Sequence, residues 1–342
     1  MFYKNILITG GAGFIGSNFI PYFIHKYPSC TIINLDRLTY AGNLGNLKEI
    51  ETNENYHFIK GDICDAELVN DIFEKYQIQG VIHFAAESHV DNSIEAPDYF
   101  IKTNIEGTFV LLETARKHWI NNTDSTPNSF EKRRFHHIST DEVFGSLGDK
   151  GFFSESTPYA PNSPYSASKA ASDFLVRSYF HTYGLNVVTS NCSNNYGPKQ
   201  HNEKLIPTII RNAVSGKPIP IYGDGKNVRD WLYVMDHCKG IDLVFHKGIP
   251  GETYVMGGGN EHNNLYVANE ICKVLDKIKP KTEGSYKEQI TYVKDRKGHD
   301  FRYAIDSAKI RTELGWKPEE KFVSGLRKTI EWYIDKYQKP LS

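Results

Sequence analysis

Seven residues near the start, Gly10-Gly11-Ala12-Gly13-Phe14-Ile15-Gly16, constrain this chain more than any other stretch. They follow an apolar run, Asn5–Thr9, and open a helix-periodic segment, Phe14–Tyr27. A strand that turns through glycines into a helix lets the backbone approach a pyrophosphate closely, and the N–H groups of the first helical turn then face its charge. Gly10, Gly13 and Gly16 carry one version of the dinucleotide spacing; Gly11, Gly13 and Gly16 carry another. Asp36 stands twenty residues past Gly16, at the end of the second apolar run, where a carboxylate accepts hydrogen bonds from adenosine ribose hydroxyls. The same carboxylate repels a 2′-phosphate, so the cofactor expected is NAD rather than NADP. Arg37 beside it reads as a solvated loop charge. Asp62 and Ile63 follow the third run, where an Asp can meet the adenine amino group. Ala85 and Ala86 follow the fourth, where small side chains leave room for the cofactor.

The first half keeps alternating strand and helix patterns. Strands are expected at Asn5–Thr9, Thr31–Leu35, His57–Lys60, Val81–Phe84, Phe135–Ser139 and Val187–Ser190. Helices are expected at Phe14–Tyr27, Glu67–Tyr76, Pro97–His118 and Pro164–Tyr183. This alternation predicts right-handed βαβ units and an α/β fold: a doubly wound parallel sheet of the Rossmann type with a smaller C-terminal α/β substrate lobe. Residues 1–195 are assigned to the NAD-binding domain and 196–342 mainly to the substrate lobe, with the chain crossing between the two more than once. Elements expected in the lobe are Leu205–Val214, Pro220–Tyr222, Asp236–Phe245, Val267–Ile278 and Gly325–Tyr337. The polar stretch 121–134 reads as an exposed loop.

A formal net charge of −1 gives no basis for binding nucleic acid or an anionic membrane surface. The five cysteines are scattered without a CxxC pair, which argues for reduced thiols, no metal site and a cytoplasmic protein. No run is long and apolar enough to span a bilayer.

Tyr165 and Lys169 lie four apart near the start of a helix opened by Ser163-Pro164. Residues at that spacing share a helix face. An ammonium beside a phenol lowers the phenol's pKa towards the range useful for proton abstraction. Thr140-Asp141-Glu142 follows the fifth strand, at the carboxyl edge of the sheet where ligands bind in this architecture. A hydroxyl there serves hydride chemistry at a carbinol; two adjacent carboxyls add acid and base chemistry.

The runs GGAGFIGSNF, AAESHVDNSI, STDEVFGS, YSASKAASD, NCSNNYGP, KLIP, PIYGDGKNVRDWLYV and DRKGHDFRYAID together resemble the extended short-chain dehydrogenase/reductases, and more narrowly the dTDP-glucose 4,6-dehydratases. The resemblance spans nearly the whole chain. Its discriminating pieces are the Thr-Asp-Glu triplet and the DRKGHD run. It implies that Ser88, Thr103 and Asn195 join the cofactor shell. It implies that Ser88, Thr140, Asn194, Lys204, Leu205, Arg229, Asn264, Asp295, Arg296 and His299 line a sugar-nucleotide site, with Pro220, Ile221 and Tyr222 facing the base. The arginines suit a diphosphate by their planar donor forks. A homodimer paired through helices including the Tyr165–Lys169 one is also implied. Phe144, Asn92 and Lys297 depart from the usual Tyr, Arg and Pro.

The mechanism expected has Tyr165, Lys169 and Thr140 removing the C4 hydroxyl proton, Glu142 removing the C5 proton and a protonated Asp141 releasing water from C6. A UDP-sugar 4-epimerase or decarboxylase shares the cradle and the Tyr–Lys pair but does not require both acids. A regulator that binds NAD without catalysis has no use for the Tyr165, Lys169 and Thr140 set.

Overall fold

The computed structural model describes residues 3–121, 133–295 and 300–338. The expected loop at 121–134 therefore falls almost wholly outside the described residues. The chain opens with β1 (Asn5–Thr9), α1 (Phe14–Lys26), β2 (Thr31–Asp36), β3 (Tyr56–Lys60), α2 (Ala66–Tyr76) and β4 (Gly80–His83). Then come α3 (Val90–Glu95), α4 (Pro97–Phe100), a π-helical stretch Ile101–Glu106 and α5 (Gly107–Arg116). The single helix expected over Pro97–His118 is thus helical throughout but changes its winding. Next are β5 (Arg134–Thr140), α6 (Pro164–Tyr183), β6 (Val187–Cys192) and β7 (Asn194–Tyr196). The rest comprises α7 (Leu205–Val214), β8 (Ile219–Tyr222), β9 (Val228–Tyr233), α8 (Val234–Lys247), β10 (Thr253–Met256), β11 (Glu261–Asn263), α9 (Asn264–Ile278), β12 (Ile290–Val293), α10 (Ala308–Leu314) and α11 (Phe322–Gln338).

Seven strands form one parallel sheet in the order β10-β6-β5-β4-β1-β2-β3. Most are buried on both faces, which is why they read as apolar runs rather than alternating ones. One face is covered by Phe19 and Phe23 of α1 with Ile241 and Phe245 of α8. The other is covered by Val69 and Ile72 of α2, Leu111 of α5 and Val176 of α6. The strand order reverses between β1 and β4, and a crevice opens there at the carboxyl ends of the strands. β10 lies far along the chain yet pairs with β6 and completes this sheet, a position its four residues do not announce.

A second core gathers Ile206 and Ile210 of α7, Trp231 of β9, Val267 and Ile271 of α9 and Leu326 of α11. It supports a three-stranded sheet, β11-β9-β7, and a parallel pair, β12-β8. Among the described residues no helix is long and apolar enough to cross a membrane.

The helix that matters most for the site is firmly started. The Ser163 side chain accepts from the Ser166 N–H, Ser166 answers the Ser163 backbone, and Pro164 occupies the first turn. Such a cap contributes about 1 kcal/mol. It fixes Tyr165 in the first turn of α6 and Lys169 one turn further on.

Candidate active site

One cleft of about 310 Å³ runs over the sheet at the reversal point and is walled by the glycine turn, Asp36 and both catalytic runs. Gly10 has φ +71°, and a Cβ there would come within 2.6 Å of the Ala85 nitrogen. A Cβ on Gly16 would come within 2.6 Å of the Gly10 carbonyl oxygen. Only glycines let β1, α1 and the loop after β4 close up this far. α1 begins without a side-chain cap. The amides of Phe14, Ile15 and Gly16, three cleft-lining residues of its first turn, come before the first intrahelical donor, the Ser17 N–H on the Gly13 carbonyl, and so lack an intrahelical acceptor and can face an anion.

Asp36 accepts the Ala12 N–H at 2.9 Å and the Leu38 N–H at 2.8 Å, one on each carboxylate oxygen. Burial pushes its pKa up from the ordinary value. Each oxygen keeps a second lone pair for a ribose hydroxyl. Gly13, Asp62, Ile63, Ala85, Ala86, Ser88, Thr103 and Asn195 share the same cleft. An uncapped helix start, a turn that only glycine fits and a wall carboxylate together suit a dinucleotide such as NAD. Arg37 corrects one expectation: its guanidinium is not simply solvated but pairs with Asp62 at 3.1 Å.

Thr140 ends β5, and Asp141–Phe144 form a single 3-10 turn at the cleft wall. The Thr140 hydroxyl caps that turn, accepting from the Glu142 N–H at 3.3 Å and donating to Asp141 at 3.4 Å. Asp141 is buried, and its pKa is held well above the usual carboxylate range, first by burial and then by Glu142 and Asp230. Burial and its acidic neighbours therefore bias Asp141 towards the proton-carrying form.

Tyr165 and Lys169 face the same cleft, both buried. The expected depression of the phenol does not hold in this structure. Burial and the Glu142 carboxylate push Tyr165 well above its ordinary value, opposed by a hydrogen bond with Thr140. Lys169 spends its ammonium elsewhere, donating to the Ile138 carbonyl at 2.9 Å, and burial lowers it to about 8.

The substrate set is only partly assembled around the cleft. Ser88, Thr140, Asn194 and Lys204 line it, and Lys204 donates to the Ser88 carbonyl at 3.0 Å. Leu205 opens α7 next to Lys204 but does not line it. Pro220 and Tyr222 sit on β8, and Asp295 lies against the Gly223 turn beyond that strand. Asn264 is buried at the start of α9. Arg229 is not itself a wall residue of the cleft, but its charge acts on Asp141, which is. Its guanidinium donates to the carbonyls of Val228, Asp300 and Phe301 and lies 4.2 Å from the Tyr303 ring centroid. Arg296, Lys297 and His299 lie outside the described residues. Asn92 is exposed on α3, and Phe144 packs on the rings of Phe153 and Tyr159.

Reading by motif passed over Cys192, Ser193, Gln200, His201 and Glu203, which also line the cleft. It also passed over His137 and Asp173, buried beneath Lys169. A signal existed for these two. RFHHIST places an arginine and two histidines in a strand buried along its whole length, and polar residues in such a place need partners.

Comparison with known proteins agrees with this geometry. A family model for GDP-mannose 4,6 dehydratase matches residues 7–329. A dTDP-glucose 4,6-dehydratase of Salmonella typhimurium is 56% identical over 338 residues, covering 96% of this chain and 92% of that one. The crystal structure of a dTDP-glucose 4,6-dehydratase from Bacillus anthracis in complex with NAD matches with a TM-score of 0.86 and 46% identity over 98% of both chains. One from Streptomyces venezuelae with NAD bound matches with a TM-score of 0.87 and 44% identity over 97% of both. The chain belongs to the nucleotide-sugar 4,6-dehydratase family, within its dTDP-glucose 4,6-dehydratase group.

Proposed function

We propose that this enzyme converts dTDP-glucose to dTDP-4-keto-6-deoxyglucose, a hydro-lyase reaction that supplies precursors of rhamnose-type deoxysugars. The observation that carries the reading is the placing of Asp141 and Glu142 on one turn of the same cleft wall as Thr140, Tyr165 and Lys169. NAD, when bound, supplies a hydride acceptor at C4 and a hydride donor at C6, and its positive ring favours the phenolate of Tyr165.

The protein's own groups do the proton chemistry. Tyr165, hydrogen-bonded to Thr140, takes the proton of the C4 hydroxyl. Burial makes this phenol a reluctant base until a cation faces it, and the buried Lys169 is the protein's contribution to that field. Oxidation at C4 makes the C5 proton acidic, because its loss leaves an enolate. Glu142 removes it. Asp141, biased towards its neutral form by its surroundings, protonates the departing C6 hydroxyl, and water leaves; hydride return to C6 is then completed by a proton delivered to C5, which restores the C4 ketone. Two adjacent carboxyls in unequal environments divide the roles of base and acid.

On the substrate side the reading takes Ser88, Asn194 and Lys204 from the cleft wall. Leu205, Pro220, Tyr222, Asn264, Asp295, Arg296 and His299 are taken from the neighbouring lobe. The split at 195/196 into cofactor and substrate portions belongs to the same proposal, as does a homodimer through α5 and α6. Phe109 and Phe174 on those helices are about half exposed, and large apolar groups in water mark contact surfaces. Five free cysteines support a cytoplasmic location.

The test is isotopic. Reaction in heavy water is expected to place deuterium at C5 of the product, and substrate deuterated at C4 is expected to deliver that label to C6. A label that returns to C4 with none at C5 would replace this reading with an epimerase.

A further inference from the structure

Beneath Lys169 lies a buried carboxylate that the reaction just described does not use. Asp173 is one turn further along α6 and is fully enclosed. One of its oxygens accepts the Ser139 hydroxyl of β5 at 2.9 Å, the Tyr159 hydroxyl at 2.9 Å and the Asn191 amide of β6 at 3.1 Å. The other lies 3.1 Å from His137 Nε2, which is itself 3.5 Å from Lys169 Nζ. The Asn191 amide also donates to the Thr140 carbonyl at 3.0 Å. A single anion is thus tied to the strand that carries Thr140, to the helix that carries Tyr165 and to the neighbourhood of the Lys169 ammonium.

We propose that Asp173 is a positioning residue, whose buried negative charge keeps Lys169 cationic while its hydrogen bonds lock the Thr140 strand against α6. The inference rests on the roles given to Tyr165 and Lys169 above. A lysine sealed from water tends to lose its proton, and a neutral amine gives the phenol no electrostatic help. The groups facing Lys169 are few. Asp173 and the Cys192 thiol of β6 favour the cation; His137 of β5 and His83 of β4 are sealed in beside it. His83 is held between Thr9 and Thr108, and burial keeps both imidazoles neutral, His137 at about 4. Neither histidine therefore supplies charge. Asp173 does: its donors hold its pKa below the ordinary value even though burial pushes the other way. Tyr159 stays a phenol beside it, because burial and Asp173 both raise its pKa.

The test compares pH profiles of the NAD-loaded enzyme. Asp173→Asn keeps the shape and removes the charge. Lys169 must be protonated to act, so lowering its pKa moves the alkaline limb of kcat to lower pH. The expected shift is about one unit or more, so kcat falls about twofold at about pH 7 and roughly tenfold near pH ~9, with KM for the nucleotide sugar nearly unchanged. Tyr159→Phe removes one hydrogen bond but not the charge, and is expected to leave the limb where it is. A folded Asp173→Asn enzyme whose alkaline limb does not move overturns the proposal. If that variant does not fold, Asp173→Glu decides: retained charge must retain the limb, and a downward shift overturns the proposal. Tyr165→Phe in the same series separates the two readings. High turnover there sinks the role of Tyr165 itself, whereas an inactive Tyr165→Phe with an unmoved limb in Asp173→Asn sinks this inference alone.

Discussion

The two sides of the cleft are built on different terms. The cofactor side is made of backbone: a glycine turn, the first turn of α1, and an aspartate held by the amides of Ala12 and Leu38. Its parts lie within one βαβ stretch, and their positions follow once β1 and β2 pair in register. The substrate side proposed above draws on side chains from α7, β8 and α9, elements that meet through packing of the second core. A contiguous, backbone-made site tolerates almost no change in shape. A dispersed side-chain site tolerates change at single positions but depends on the lobe's packing.

The sharpest way to break this contrast is Gly10→Ala. The residue has φ +71° and its new Cβ would press on the Ala85 backbone at 2.6 Å, with no flexible side chain to move aside. We expect a loss of about 3 kcal/mol or more and purified protein nearly empty of NAD. Thermal unfolding and the NAD released on denaturation check both. Full NAD content would mean that the cradle is less rigid than its geometry implies.

A smaller effect is expected on the other side, from Arg229→Met. Sequence chemistry points this arginine at a diphosphate, but the fold buries it on three carbonyls and a tyrosine ring. Removing the guanidinium takes one donor from each carbonyl, although the Tyr303 N–H, the Asn227 amide and the Val228 N–H still reach them, and it loses the ring contact, at about 1–2 kcal/mol. We expect the melting temperature to fall clearly while KM changes less than about fivefold. A large rise in KM with unchanged melting would restore Arg229 as a direct ligand and erase part of the contrast.

The same difference explains what was legible in the sequence. β1, α6 and α7 match their expected bounds residue for residue, because glycine turns, a Ser-Pro start and an unmixed period mark their ends. The cradle and the Thr140, Tyr165 and Lys169 set were legible because each lies within a few residues of an element end. β9, β10 and β11 were not. They are short, and their pairing partners lie far away in the chain or in a lobe whose register no local pattern sets. The depressed phenol expected for Tyr165 failed for a related reason. Helical spacing brings Lys169 onto the right face, but burial and the Glu142 carboxylate, both set by the fold around the helix, outweigh it. Asp173 shows the converse: its place four residues after Lys169 is plain in the sequence, yet its partners on β5 and β6 appear only in the fold.

The last predicted effect lies where the two sides meet, and it has the opposite sign. Asp141 is enclosed, and the carboxylates of Glu142 and Asp230 oppose its ionisation, so its folded pKa is well above the ordinary value of 3.8. Between those two values the folded protein holds a proton that the unfolded chain has released. Folding must then take up a proton, and stability falls as pH rises through that window, by about 1.4 kcal/mol per pH unit at most. Asn has nearly the same shape and no proton to take up. Asp141→Asn should therefore unfold at about the wild-type temperature below pH 4 and at a higher temperature near neutrality, with the gap widening as pH rises. Turnover should fall at the same time, because the amide cannot protonate the departing C6 hydroxyl. A gain in stability coupled to a loss of activity is what a carboxyl kept neutral for chemistry should give. A melting difference that stays flat from acid to neutral pH would show that Asp141 ionises freely in the fold. The acid of the elimination would then have to be sought elsewhere on the cleft wall.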